Sequence, residues 1–456
     1  MNRTVDNAKV DLAALKGSLK DYRAPKGQHI VDRAAGFHEW QDLRRQSDLW
    51  PYARSTRTAP QAFCEALSDA GAPITGVNFA SQDYLGLSTH PKVKQCATKA
   101  IETYGVHSAG SAALQGNTTN SLALESALSR FLHGREVVLY PTGWAAGYGG
   151  IQGFVRPHDH VVMDILAHSC LQEGARASTQ NVHYYAHLKP ESAERKLKSI
   201  RERNPDAGIL LVTESLFSMH ATIPDLKALA DLCKTYNATF LVDCAHDFGA
   251  MGPDGLGAIG KYGVLDDVDI IVASFSKSFA SNGGLVSVKT KAAAEYLKYY
   301  SATHTFSNAL SPVQAATVLA SLEIIASDEG KLLRNRLMEN ILALRTEMQA
   351  AGAEALGEPS PIVPIRVGDE VLGRLVARQL PRMGGIANLV EYPAVPRSDS
   401  RFRFQVMAPH TRSDIDRVVK ALSQAMQAGA AELEQARAGD LSHLEALAAR
   451  PLKRAG

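Results

Sequence analysis

The 456 residues carry 49 Lys plus Arg against 47 Asp plus Glu, a formal charge of +2 that offers no basic excess for a phosphate backbone, so nucleic acid is not an expected partner. Hydrophobic residues at 45% and charged residues at 21% exclude a disordered chain, and no apolar run approaches the roughly 18 residues of a membrane-spanning helix. At about 150 residues per domain the length admits roughly three compact units. The N-terminal MNRTVDNAKVDLAALKGSLKDYR lacks the apolar core of a signal peptide, so a cytoplasmic protein is expected, with at most peripheral membrane contact. Cys64, Cys96, Cys170, Cys233 and Cys244 are odd in number and include no CxxC pair; they read as free thiols, and no metal site is expected. Cys244, beside Asp243, reads as a small packing residue.

In chain order, residues 1–76 read as a polar arm with helices, of which HEWQDLRRQSDLWPYARS is broken at Pro51. From about residue 135 short apolar runs recur: EVVLYPTG, HVVMDIL, GILLVTES, ATFLVDCA and VDIIVASFS. Amphipathic stretches separate several of them, such as IPDLKALADLCKTYN with Leu226, Leu229 and Leu232 at helical spacing. Fully apolar strands alternating with helices predict an α/β large domain over 77–310, its mostly parallel sheet covered on both faces. A long helix, residues 313–352, then leads into a smaller C-terminal α+β domain over 311–430. Its predicted strands are SPIVPIRVG, ANLVEYPAV and RFRFQVMA, and its helix DIDRVVKALSQAMQ. Residues 431–456, rich in Ala, Glu and Arg, read as a frayed helical tail.

In an open parallel sheet ligands bind at the carboxyl ends of the strands. After VDIIVA, Lys277 lies among Ser274, Ser276 and Ser278, with Gly283 and Gly284 following. An amine there suits a Schiff base and the hydroxyls suit a phosphate, although a lysine taken alone is usually a solvated charge. After ATFLV, Asp243 ends a buried strand and His246 follows; such an acid needs a cationic partner, for which a protonated pyridine nitrogen serves, unless it is simply a solvated loop acid. After EVVLY, Thr142, Gly143 and Trp144 open a predicted helix whose free N–H groups attract phosphate. His168, after HVVMDIL, suits ring stacking or acid–base work, but a lone histidine is more often structural.

Together, NFASQDYLGL, LYPTGWAAG, DILAHSCLQEGARAS, TESLFSM, VDCAHDFGAMG, SFSKSFASNGG and RFRFQVMAPHT stand in the order found in α-oxoamine synthases, which the chain resembles from about 77 to 425. The serine-rich lysine segment is most similar to the serine palmitoyltransferase branch; the family also includes 8-amino-7-oxononanoate synthases. The resemblance implies a fold-type I pyridoxal 5'-phosphate (PLP) transferase that condenses an amino acid, L-serine in the first place, with a long-chain acyl thioester and releases carbon dioxide. It implies that Lys277 carries PLP and removes the substrate Cα proton, that Asp243 pairs with the ring nitrogen, and that His168 stacks on the ring. His246 and Ser218 would bond the ring hydroxyl, while Thr142, Gly143, Trp144 and Ser274 would hold the phosphate. Arg403 would grip the substrate carboxylate, with Arg401 the lesser candidate, and Tyr84 would contact substrate. Asn308 stands where relatives often have a Thr reaching the neighbouring subunit's phosphate, which implies a homodimer.

Two departures bear on substrate choice. Ala112 and Asn120, in GSAALQGNTTNSLALE, replace an Arg and a His found in many relatives. Alanine or glycine as amino acid, or a carrier protein as acyl donor in place of coenzyme A, therefore stays open. Another fold-type I enzyme, such as an aminotransferase or lyase, would share Lys277 and Asp243 without needing His168 or RFRF. A non-catalytic partner would be expected to lack the lysine.

Overall fold

The N-terminal arm folds around its aromatic residues. In the computed structural model, which describes residues 13–438, helix Ala35–Gln46 carries Trp40, stacked on Tyr22 with 5.0 Å between ring centroids and met edge-on by Trp50 at 5.7 Å. The chain turns at Asp48 (φ +55) before Pro51. It then pairs strands β1 (Ser55–Thr56), β2 (Phe63–Leu67) and β3 (Pro73–Asn78) in antiparallel order. The arm expected to be helical in places thus also supplies a small sheet.

The five apolar runs become β4 (Glu136–Tyr140), β5 (His160–Asp164), β7 (Ile209–Glu214), β8 (Thr239–Asp243) and β9 (Ile270–Ser274), all parallel. Two further strands complete the sheet, β6 (Val182–Tyr185) at one edge and β10 (Gly284–Val288) between β4 and β9. The order is β4-β10-β9-β8-β7-β5-β6. Only residues 275–283 join β9 to β10. A parallel crossover needs a dozen or more residues, so β10 returns antiparallel to both neighbours. Successive residues feed opposite cores. Val137, Leu139, Ile209 and Leu211 pack on one face, Val138, Tyr140, Leu210 and Val212 on the other, which is why these strands read as continuous apolar runs.

The long helix expected near 313–352 is two helices, Pro312–Ile325 and Asp328–Ala350. Ser327 is an extended N-cap and Asp328 and Glu329 fill the first turn, where acids complement the helix dipole, so the break lies in the run SDEG. The first helix packs on helices Pro91–Tyr104 and Thr119–Phe131 of the large unit. Beyond it, β11 (Ile362–Gly368), β13 (Asn388–Val390) and β14 (Ser400–Gln405) form an antiparallel sheet in the order β11-β14-β13. The short β12 (Gly385–Ile386) pairs parallel with β3 and ties the arm to this C-terminal unit. The fully buried Arg374 adds a second tie, donating to the Leu15 and Gly17 carbonyls and to Glu391. Helix Arg412–Ala438 closes the described chain; the remainder of the expected tail, 439–456, lies outside the described residues. Among those residues no helix is long and apolar enough to cross a membrane.

Candidate active site

Because β4, β5, β7, β8 and β9 run the same way, their carboxyl ends bring Thr142, His168, Glu214, Asp243 and Lys277 to one edge. These residues line a cavity of about 240 Å³, together with Gly143, Trp144, Cys170, His246, Ser274 and Ser276. A larger cavity, about 400 Å³, lies at the opposite edge among Ile209, Leu210, Ile270 and Val288. Its lysine, Lys289, is already paired with Asp269 at 2.8 Å. The chemistry therefore selects the smaller cavity.

At one end of it, helix Gly143–Gln152 starts against the end of β9. The Thr142 hydroxyl caps the helix by accepting from the Ala145 amide at 3.0 Å, which leaves the Gly143 and Trp144 amides at the N-terminus without that cap. The Ser274 and Ser276 hydroxyls lie 2.8 Å apart beside them. A Cβ on Gly143 would fall 2.4 Å from Ser274 Oγ, so only glycine lets helix and strand approach this closely. Free amides, hydroxyls and the positive end of a helix dipole are the donor set a phosphate requires.

The other end is acidic. Asp243 and Glu214 are register partners on adjacent strands, both buried. Burial, and then the Asp243 charge, holds Glu214 well above the usual carboxylate range. Burial also raises Asp243, opposed by the Ala245 amide that donates to Oδ1 at 2.9 Å and by Lys277. Each carboxylate therefore resists ionisation while the other is charged. Burial lowers Lys277, opposed by Asp243. His246 is lowered well below its ordinary value by burial and then by the positive Lys277 and Arg403; its Nδ1 lies 3.0 Å from the Tyr84 hydroxyl.

Of the residues singled out in the sequence, Lys277, His168, Asp243, His246, Thr142, Gly143, Trp144 and Ser274 share this cavity. Four stand outside its wall. Tyr84 is buried behind His246. Ser218 lends its carbonyl to Arg403 Nη1 at 3.4 Å. Arg403 also donates from Nε and Nη2 to the Gln405 amide oxygen, at 2.8 and 3.2 Å, once that amide is turned to face it. Asn308 is exposed and bridges Ser111. Sequence reasoning missed Glu214, although it ends the run GILLVTE as Asp243 ends ATFLVD. It also assigned no site role to Cys170, which lines the cavity.

The residues fit PLP: an amine, an acid for the ring nitrogen and a glycine-dependent phosphate cradle open onto one space. Lysine, strand-end acid and helix N-terminus on a mostly parallel sheet define a fold-type I PLP enzyme. The profile of the family "Aminotransferase class I and II" matches residues 74–422. Serine palmitoyltransferase of Bacteriovorax stolpii is 32% identical over 396 residues, 87% of this chain and 90% of that protein. The 8-amino-7-oxononanoate synthase of Coprothermobacter proteolyticus is 32% identical over 345 residues, 75% of this chain and 86% of that protein. Among solved structures, serine palmitoyltransferase of Sphingomonas wittichii shares the fold with a TM-score of 0.82 at 23% identity, covering 89% of this chain and 100% of that one. The chain belongs to the class I and II aminotransferase family and, within it, to the PLP-dependent, acyl-transferring α-oxoamine synthases.

Proposed function

We propose that the protein condenses L-serine with a long-chain acyl-CoA and releases carbon dioxide, giving an α-amino ketone, as a cytoplasmic homodimer. The observation that carries this reading is the span of the serine palmitoyltransferase match, 396 residues against 345 for the 8-amino-7-oxononanoate synthase. Their equal identity, 32% in each, supports a second reading, in which alanine or glycine replaces serine or a carrier protein delivers the acyl group.

When bound, PLP supplies an electron sink that stabilises negative charge at the substrate Cα. Lys277 holds PLP and takes the Cα proton, a task its lowered basicity suits. Asp243, at the end of β8, would pair with the protonated ring nitrogen. His168 would meet the ring from the cavity wall, while His246, steadied by Tyr84, and Ser218 would serve the ring hydroxyl. Arg403 would grip the carboxylate of the amino acid, and Tyr84, behind His246, would act on it through that ring. Thr142, Gly143, Trp144 and Ser274 hold the phosphate, and Asn308 reaches the site of the second subunit.

The test is to follow the visible spectrum of the pure protein with serine, alanine and glycine in turn, then to add acyl-CoA of graded length and measure carbon dioxide release. A spectral response to serine followed by thioester-dependent release supports the proposal. A response to alanine alone selects the second reading, and amino-group transfer without thioester would overturn both.

A further inference from the structure

His168 is the N-cap of helix Ser169–Ser178, and the cap fixes the state of its ring. The Cys170 amide donates to His168 Nδ1 at 3.3 Å. An amide N–H only donates, so Nδ1 presents a lone pair. The Cys170 sulfur lies 3.0 Å from the same nitrogen, and a thiol facing a lone pair is itself a donor. The sulfur keeps its proton: Cys170 is 2% exposed, and burial, followed by the Asp243 charge, pushes the thiol well above its ordinary value. The neighbouring helix is shaped around this thiol, since a Cβ on Gly147 would fall 2.4 Å from Cys170 Sγ.

We propose that Cys170 is a positioning residue which, by donating to Nδ1 from both its amide and its thiol, holds His168 as the neutral tautomer with its proton on Nε2. The inference rests on the reading of the cavity as the PLP site. His168 then offers that site a flat, uncharged ring and one N–H donor. It hydrogen-bonds the bound amino acid instead of competing with Lys277 for the Cα proton. A charged imidazolium at this place would also weaken the pairing of Asp243 with the ring nitrogen.

The experiment uses ¹⁵N-histidine-labelled holoenzyme as wild type, Cys170→Ser and Cys170→Ala, with the His168 resonances identified by their loss in His168→Gln. Wild type and Cys170→Ser should show a protonated Nε2 and an unprotonated Nδ1. Cys170→Ala removes one of the two donors to the lone pair, so the His168 Nδ1 resonance should move away from its unprotonated position. Serine affinity, read by spectral titration, should fall severalfold in Cys170→Ala, with Cys170→Ser restoring the wild-type value. A purely structural thiol would lower the melting temperature of Cys170→Ala and leave the His168 resonances unmoved; that result, or Cys170→Ser behaving like Cys170→Ala, overturns the proposal. Failure of the underlying site reading has a separate signature: removing PLP would leave the His168 resonances unchanged in all three proteins, whatever their tautomer.

Discussion

Arg401 and Arg403 stand two apart on β14, and their partners separate their roles. Arg401 is 1% exposed and committed to Asp399 and the Met219 carbonyl. Arg403 is only half-buried and holds neutral partners, so its charge is available for a carboxylate. A charge-assisted hydrogen bond is worth roughly 1.5–3 kcal/mol. Arg403→Ala should therefore raise the apparent amino-acid constant by about 10- to 150-fold while leaving the cofactor spectrum intact; unchanged affinity in a spectral titration would move the carboxylate site elsewhere. Asp243→Asn should fail differently, retaining PLP yet losing deuterium exchange at the substrate Cα, because a neutral amide cannot keep the ring nitrogen protonated. Asp243 and Lys277 were legible because each follows a fully apolar strand. Glu214 carries the same signal, but its meaning depends on lying beside Asp243, and strand adjacency is not written in the chain order. Cys170 was hidden for a similar reason: a buried cysteine looks like packing until the imidazole two residues earlier is seen to turn back onto it.

At the scale of elements, each place where the fold departs from the sequence reading has a local cause. β6, the edge strand VHYY, is only partly buried, so it lacks the apolar run that marked the inner strands. β10 is fully buried, yet the loop before it is too short for the expected alternation of strand and helix. Close approach between elements gives a test. Gly143→Ala should push helix Gly143–Gln152 off the end of β9, because the new methyl would sit 2.4 Å from Ser274 Oγ. Overpacking of this kind costs about 1–3 kcal/mol. PLP retention on dialysis, read from visible absorbance, should fall roughly 10- to 100-fold, whereas Gly36→Ala, with nothing within 4 Å of its Cβ, should leave retention unchanged. The junction of arm and C-terminal unit gives another. His410 accepts from the Met407 amide at 3.0 Å, donates from Nε2 to the Asn78 carbonyl at 2.9 Å and stacks on Phe79 at 3.9 Å. Burial lowers its pKa to about 4. Above about pH 6.5 neither folded nor unfolded chain protonates this ring. Between about 6.5 and 4 only the unfolded chain does, so stability falls as pH falls, by about 1.4 kcal/mol per unit from this residue. His410→Gln should be less stable than wild type at pH 7.5, and the difference should shrink by about 2 kcal/mol at pH 5 in denaturant melts. A difference independent of pH would mean that His410 titrates normally in the folded protein.

For the whole molecule, the proposed homodimer can be tested at exposed apolar residues beside the Ser111–Asn308 bridge. Leu114 is 87% exposed, Phe306 86% and Val106 69%. Leu114 and Phe306 lie on segments that the Ser111–Asn308 bridge and the Ala309 amide, donating to the Gly110 carbonyl at 2.9 Å, hold side by side. Trp144, at the cavity, is also 47% exposed. Exposed Leu114 and Phe306, on segments held side by side, mark an interaction surface, and a two-fold pairing of identical faces closes without leaving a free edge. The cavity would then stand near the partner, and Asn308 would reach across to it. Wild type should be a dimer by light scattering, and the double variant Leu114→Glu, Phe306→Glu should shift to monomer and lose PLP more readily. Complementation tests whether the sites are shared. Lys277→Ala and Asn308→Ala should each be impaired alone. In a hybrid dimer one site regains both Lys277 and Asn308 while the other loses both, so mixing should recover activity that neither parent has. Differently tagged subunits verify exchange; exchange without recovery would confine Asn308 to its own subunit, and a monomeric wild type would remove the shared site altogether.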